Sequence, residues 1–196
     1  MINREASVSL FLFMFNKDEV LVIPQYDAGD IKDGFTSAKD YNMVLSNSFF
    51  VSRDIVKGNN TIRQIVPYII YENKGKYLAT TYIKDEIQNR CIGTYNRVYN
   101  DYEFTTLENY VLKYFDVKKV KFIGFLKNTL HHADYIGCVF LSLDKNFSHS
   151  IINKEKYEWK NKRDLINEYG SYEVWSKNII DDYILQKGSF LRENNL

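Results

Sequence analysis

The side chains best suited to chemistry form an interleaved run of basic, aromatic and amide residues in the middle of the chain. Guanidinium groups bind phosphate and stack on rings, and tyrosine rings stack on bases, so this mixture favours a nucleotide or a single-stranded base as ligand. The same residue types anchor protein interfaces, and a tyrosine-rich surface that binds nothing is the third interpretation. The predicted ligand-binding residues are Arg90, Tyr95, Asn96, Arg97, Tyr99 and Asn100, with Tyr102 beyond them.

Histidines and cysteines are the other side chains that could react or bind a metal. The cluster His131-His132-Ala133-Asp134 has transition-metal ligands, but neighbouring strand residues point to opposite sides, so a surface loop is expected there. His149 is solitary and is expected to be structural or exposed. Cys91 and Cys138 form no C-x-x-C pair and are expected to be buried thiols in a reducing cytoplasm. The sequence also lacks a G-x-S-x-G elbow, a P-loop and a G-x-G-x-x-G fingerprint.

Composition and charge narrow the class of protein. The 196 residues are 45% apolar and 26% charged, which is ordinary for a globular protein with a core of its own. A formal net charge of +1 provides no global field toward nucleic acid or membrane. The apolar run Val8 to Phe15 is too short to span a bilayer and is followed by polar residues 16–19 without a cleavage site, so a cytoplasmic location is expected.

The first half of the chain is predicted to be rich in strands. Val8 to Phe15 and Val20 to Ile23 flank a polar turn and predict a hairpin. Segment 27–42 is predicted to be a polar loop with one helical turn. Arg63 to Tyr71 and Lys76 to Lys84 flank a turn signal and predict a second hairpin, in which Pro67 indicates an edge strand or a bulge.

The second half alternates strands with helices. Leu107, Tyr110, Val111, Tyr114 and Phe115 have helical spacing, which predicts an amphipathic helix over Thr105 to Phe115 with a threonine cap and Glu108 in its first turn. Strands are predicted at Val117 to Leu126 and Tyr135 to Leu143, and a helix broken at Gly170 over 162–184. This order predicts an α+β fold, a mixed sheet with flanking helices in an α/β/α sandwich.

An ordered set of short motifs resembles the Nudix superfamily, in a branch described as MutT-like predicted phosphoesterases. The set spans about residues 20–185 and implies one Nudix-like domain over residues 1–196, with a strand-rich extension over about residues 1–60. Its landmarks are Phe50-Val51-Ser52-Arg53 with Arg63 to Tyr68, Arg90 to Gly93, Tyr95 to Asn100 at the family's GGHIN segment, Phe122 to Phe125, and Glu173-Val174-Trp175-Ser176 at its ESWS motif.

The resemblance also shows a degenerate Nudix box. The family holds Mg²⁺ or Mn²⁺ on an Arg-Glu-x-x-Glu-Glu helix, and the ions polarise a diphosphate and activate water. Matching residues 106–117 to that helix puts Asn109 at the arginine, Tyr110, Lys113 and Tyr114 at the glutamates, and Asp116 at the following glycine. Tyrosine and lysine are poor ligands for hard cations, so no cofactor is expected.

Three functions follow from this comparison. The first is a catalytically degenerate protein that binds a nucleotide-type ligand or a macromolecular partner, in a cleft between segment 90–103 and the helix. The second is an active hydrolase of nucleoside diphosphate derivatives, with Mg²⁺ or Mn²⁺ on Asp101, Glu103 or Glu108; otherwise these acids are a solvated loop and a helix-dipole partner. The third is a small inhibitor or regulator that uses the fold as a scaffold.

Overall fold

The computed structural model of the protein describes residues 18–84, 87–100, 106–128, 135–144 and 156–186. The histidine cluster, His149, Tyr102 and the run from Val8 to Phe15 lie outside these ranges. The described strands are β1 (Glu19–Pro24), β2 (Gly34–Ser37), β3 (Phe49–Ser52), β4 (Ile62–Asn73), β5 (Lys76–Lys84), β6 (Ile87–Cys91), β7 (Gly93–Tyr95), β8 (Val120–Lys127), β9 (Tyr135–Ser142) and β10 (Lys156–Lys160).

The helices are short and cover both faces of the sheet. They are α1 (Asn42–Leu45), α2 (Arg53–Val56), α3 (Leu107–Tyr114), α4 (Lys162–Asn167) and α5 (Val174–Ile179). A 3₁₀ turn at Tyr169–Ser171 separates α4 from α5, and Ile180–Leu185 continues α5 with π-helical geometry. The prediction of a C-terminal helix broken near Gly170 is therefore confirmed. Within the described ranges, no helix is both long and apolar enough to cross a bilayer.

Strand β4 is the centre of the sheet. It runs parallel to β9 and antiparallel to β1 and β7, and β9 continues antiparallel through β8 to β2. The predicted hairpin of β4 and β5 is confirmed, with a turn at Lys74 and Gly75, where φ is 50° and 74°. Positive φ at both turn residues matches the twist of a tight hairpin.

The sheet is mixed and sandwiched between helices, as predicted, because β4 buries both faces. Odd-numbered residues such as Ile65 and Ile69 pack with α3, whereas even-numbered residues such as Val66 and Ile70 pack with α5. Alternate strand residues point to opposite faces, so each face of β4 has its own helical layer.

Two expectations from the sequence are wrong. Pro67 is in the central strand and pairs with Cys138 of β9. On the opposite edge of β4, residues 62–64 pair with β1 and residues 68–70 pair with β7. The proline lies in the gap between these two partner strands, where its missing N–H is tolerated. Segment 27–42 is not only loop, because β2 pairs with β8 and Asp182 accepts a 3.2 Å hydrogen bond from Phe35 N.

Helix α3 begins and packs as its sequence predicts. Thr106 caps it by accepting a 3.1 Å hydrogen bond from Asn109 N, and Glu108 is in the first turn. Leu107, Tyr110 and Val111 are buried, but Tyr114 at the end of the apolar stripe remains 38% exposed. Phe115, directly after the helix, is buried as well, so α3 is anchored along its length while Tyr114 reaches the surface.

The two cysteines are free thiols in different surroundings. Cys138 is fully buried in β9, and burial raises the pKa of its thiol. Cys91 is only partly buried, contrary to expectation, and its Sγ lies 3.0 Å from Thr80 Oγ1.

Candidate ligand-binding site

A pocket of about 520 Å³ opens on the face of the sheet opposite α3, and we call it the Arg97 pocket. It lies between the start of β9, the start of β4 and helix α2. Its wall is polar and carries both signs of charge. The residues that line it are Asp18, Ser52, Arg53, Asp54, Val56, Lys57, Gln64, Arg97 and Tyr135.

The backbone around Arg97 is held from two sides. After β7, the chain runs beside β1, where Leu21 N donates to Val98 O at 3.0 Å and Asn100 N donates to Glu19 O at 3.3 Å. From the other face of the sheet, the hydroxyl of Tyr110 donates to Arg97 O. Helix α3 therefore fixes the pocket through the main chain, although its own side chains lie on the opposite face.

The Arg97 side chain is the pocket's central cation. Burial lowers the pKa of its guanidinium. Hydrogen bonds to the hydroxyls of Tyr99 and Tyr135 outweigh that effect, so the pKa is raised overall and the group stays charged. Its Nε atom is buried and has no hydrogen-bond partner among the described residues. The two tyrosines orient the guanidinium and leave part of its donor capacity unused.

Gln64 provides a second unused donor. The residue is 3% exposed and pairs with Tyr135 across β4 and β9, which places its side chain in the floor of the Arg97 pocket. In the described part of the chain its Nε2 has no hydrogen-bond partner. A buried amide donor without a partner costs stability, and a ligand acceptor would remove that cost.

The remaining charges stand on the wall formed by Asp18 and α2. Arg53 and Lys57 are four residues apart and therefore share one side of this short helical segment, with Asp54 between them. Arg53 N donates to Asp18 O at 2.7 Å, which joins Asp18 to the same wall. Within the described ranges, these four groups and Arg97 make no ion pair.

The predicted ligand-binding residues do not share one environment. Tyr95 is 59% exposed on the pocket's face of the sheet and packs edge-on against Trp175, with ring centroids 6.0 Å apart. Asn96 is exposed and accepts a hydrogen bond from Arg97 N, and Asn100 donates to Glu19 Oε2 at 2.6 Å. Tyr95, Arg97 and Tyr99 thus face away from α3, so these three residues do not line the cleft expected between segment 90–103 and that helix. Successive residues of an extended segment point to opposite faces, which explains why the predicted residues do not all face the same way.

Arg90 lies apart from the others, in a separate pocket of about 410 Å³ with Asn167 and Gly170. Its guanidinium forms an ion pair with Glu168, whose other oxygen accepts from Lys160 Nζ at 2.9 Å. Lys160 also pairs with Glu158, so two carboxylates balance the two cations, and this second pocket offers less to an anion than the Arg97 pocket does.

The α3 residues that the sequence predicts at the glutamate positions of the Nudix helix lie against one another. Tyr110 is buried and stacks on Tyr114, with ring centroids 4.3 Å apart, and Lys113 Nζ lies 5.2 Å above the Tyr114 ring. Phenol and ammonium groups do not fit a hard divalent cation, which requires several carboxylate or carbonyl oxygens. Asn109, at the arginine position, is exposed and follows the helix cap.

The three acids of the alternative metal site are only partly within the described residues. Asp101 and Glu103 lie outside them, and Glu108 is exposed in the first turn of α3. In the ranges that the structure does describe, no group of three or more His, Cys, Asp or Glu could hold a metal ion.

Sequence reasoning missed Gln64 and Tyr135 as pocket residues. Both are in strands that were predicted, but the parallel pairing of β4 with β9 that joins them has no local signal. In the sequence, Arg53 stands out only as the end of the Phe50-Val51-Ser52-Arg53 landmark. Its role in the pocket depends on α2 folding back beside β1.

The landmark Glu173-Val174-Trp175-Ser176 has a structural role. The Glu173 carboxylate caps α5 by accepting 2.7 Å hydrogen bonds from Trp175 N and Ser176 N. It also accepts from the hydroxyls of Ser176 and Tyr68, and Ser176 Oγ accepts from Ile92 N at 3.0 Å. This network ties the C-terminal helix to β4 and to the chain that leads toward the Arg97 pocket.

Comparison with solved structures identifies the fold. The chain is similar to the crystal structure of Tm1382, a candidate Nudix hydrolase, with a TM-score of 0.71 at 21% sequence identity. The match covers 86% of this chain and 99% of Tm1382. No protein-family model and no curated protein matches the sequence. The protein therefore has the Nudix fold, and at this identity the likeness extends to the fold alone.

Proposed function

We propose that this Nudix-fold protein binds a nucleotide-type ligand in the Arg97 pocket and carries out no metal-dependent hydrolysis there. The observation that carries the proposal is the pair of unused buried donors, Gln64 Nε2 and Arg97 Nε, in a pocket lined by further cations. Buried donors without a partner favour a phosphate or carbonyl acceptor, because such an acceptor would remove the cost of leaving them unpaired.

The aromatic surroundings support a ligand with a ring as well as an anion. Tyr135 lines the pocket, and exposed Tyr95 lies on the same face of the sheet. Stacking on a tyrosine contributes about 1–3 kcal/mol per base and tolerates different bases. A nucleotide combines this ring with the phosphate that Arg97 would bind.

The replacement of carboxylates on α3 supports binding without hydrolysis. Tyr110, Lys113 and Tyr114 occupy the matching positions, and their side chains pack on one another. Two free cysteines support a reducing, cytoplasmic location for this activity. We place the chain in the MutT-like branch on its motifs.

The test is calorimetric titration of the protein with ADP and with other nucleoside mono- and diphosphates. Arg97→Ala should weaken ADP binding roughly tenfold or more, because a hydrogen-bonded charge pair contributes about 1.5–3 kcal/mol. Arg97→Lys should recover only part of the affinity, since it keeps the charge but loses the planar fork.

Arg163→Ala is the matched control, because Arg163 is an exposed cation of α4 outside the Arg97 pocket. It should leave the dissociation constant unchanged. Equal ADP affinity for the wild type and Arg97→Ala would refute the assigned pocket. If no nucleotide of the panel bound, a macromolecular partner would be favoured, and this protein would act as a binder, an inhibitor or a regulator of that partner.

A phosphate-release assay with Mn²⁺ separates binding from hydrolysis. Turnover that disappears in Glu108→Gln would replace the binding proposal with a hydrolase whose metal site includes this helix. Binding without turnover is the expected result.

A further inference from the structure

The Arg97 pocket is chemically asymmetric. On the side of β4 and β9 it presents a cation, an amide donor and a phenol, from Arg97, Gln64 and Tyr135. On the side of β1 and α2 it presents the carboxylates of Asp18 and Asp54 beside two further cations. A simple anion site gains nothing from carboxylates, since like charges within a few ångströms repel the ligand.

The two carboxylates are available to a ligand. In the described ranges neither makes an ion pair, although Arg53 and Lys57 belong to the same wall. Ionised carboxylates only accept hydrogen bonds, so the part of the ligand that meets them must donate. The buried, unpartnered Nε2 of Gln64 independently indicates that the opposite side receives an acceptor.

A ribonucleotide has both halves of this pattern. Its phosphate accepts hydrogen bonds, and its vicinal 2′- and 3′-hydroxyls supply two adjacent donors that match the two oxygens of one carboxylate. Acidic side chains recognise ribose hydroxyls in this way in dinucleotide-binding folds. A deoxyribonucleotide lacks one donor and leaves a carboxylate oxygen without its partner.

We infer that the Arg97 pocket selects ribonucleotides over deoxyribonucleotides, with the phosphate toward Arg97 and Gln64 and the ribose diol on one of the carboxylates of Asp18 and Asp54. This inference rests on the proposed nucleotide-binding function. It adds the sugar specificity and the residues that determine it.

The experiment compares calorimetric dissociation constants for ADP and 2′-deoxy-ADP. The wild-type protein should bind ADP roughly tenfold more tightly, which is the effect of losing one hydrogen bond to a charged acceptor. In the Asp18→Asn and Asp54→Asn double variant the ratio should fall toward one. Each single variant then shows which carboxylate holds the diol.

Asp30→Asn is the control, because Asp30 is an exposed acid outside the Arg97 pocket, and it should preserve the wild-type ratio. Equal affinities of the wild type for the two nucleotides would overturn the ribose assignment and leave the nucleotide-binding proposal standing. A wild-type preference that survives in the double variant would overturn the role of the two acids. If the wild-type protein bound neither nucleotide, both proposals would be overturned.

Discussion

Removal of the Glu173 carboxylate should destabilise the protein strongly, because one side chain satisfies four donors. It accepts from two backbone N–H groups at the start of α5 and from the hydroxyls of Ser176 and Tyr68. Tyr68 is buried, and burial raises the pKa of its phenol well above 10, so the hydroxyl remains a donor at neutral pH.

The magnitude follows from two contributions. Loss of a helix N-cap costs about 1 kcal/mol of unfolding free energy. Loss of hydrogen bonds to a charged acceptor costs roughly 1.5–3 kcal/mol, although Tyr68 retains a 3.1 Å contact with Ser176 Oγ. Glu173→Ala should therefore lower the free energy of unfolding by about 2–4 kcal/mol. Glu173→Gln should cost less, since one amide oxygen still accepts.

Urea unfolding followed by circular dichroism measures this change. The midpoint should fall while the slope with denaturant stays constant, which marks an effect on stability alone. Glu108→Ala removes an exposed acid from the first turn of α3 and should cost only about 0.5 kcal/mol. A loss below that level for Glu173→Ala would refute the reasoning that this network anchors the C-terminal helix.

Two further predictions concern packing and pH. Gly124→Ala places a Cβ 2.2 Å from Thr36 O, so β2 must move away from β8, and the melting temperature should fall by roughly 4–10 °C; Gly170→Ala, where a Cβ meets nothing within 4 Å, should change it little. Burial raises the pKa of Tyr71 from 10 to about 12, so the unfolded chain loses this proton first and stability falls as the pH rises from 10 to 12. Tyr71→Phe should reduce that loss by roughly 2 kcal/mol in unfolding titrations, and an unchanged pH profile would contradict the assignment.

The elements that the sequence predicts best are those whose stabilising contacts are local. Lys74 and Gly75 form the turn of the β4–β5 hairpin, and the threonine cap and apolar stripe of α3 lie within one short segment. Strand β2 was missed because its four residues have little apolar pattern of their own. It depends on distant partners, namely β8 and the carboxylate of Asp182.

The sequence indicates which residue types form the candidate site but not how they are arranged in space. Basic and aromatic residues alternate around Arg97 and so indicate it in the sequence, and its guanidinium interacts with the hydroxyls of Tyr99 and Tyr135. The sequence gives no sign that Gln64 and Tyr135 pair across parallel strands, since that register is set by the whole sheet. Parallel pairing joins distant segments, so the floor of the Arg97 pocket becomes visible only in the fold.

Helix α3 is held in the fold by buried side chains. Leu107, Val111 and Phe115 bury the helix against the sheet. Tyr110 is also buried and donates a hydrogen bond to Arg97 O, so its contribution is to position the main chain. The same bond links the helix to the main chain of the Arg97 pocket on the other face of the sheet. The side chains that pack α3 against the sheet are therefore different from those that line the Arg97 pocket.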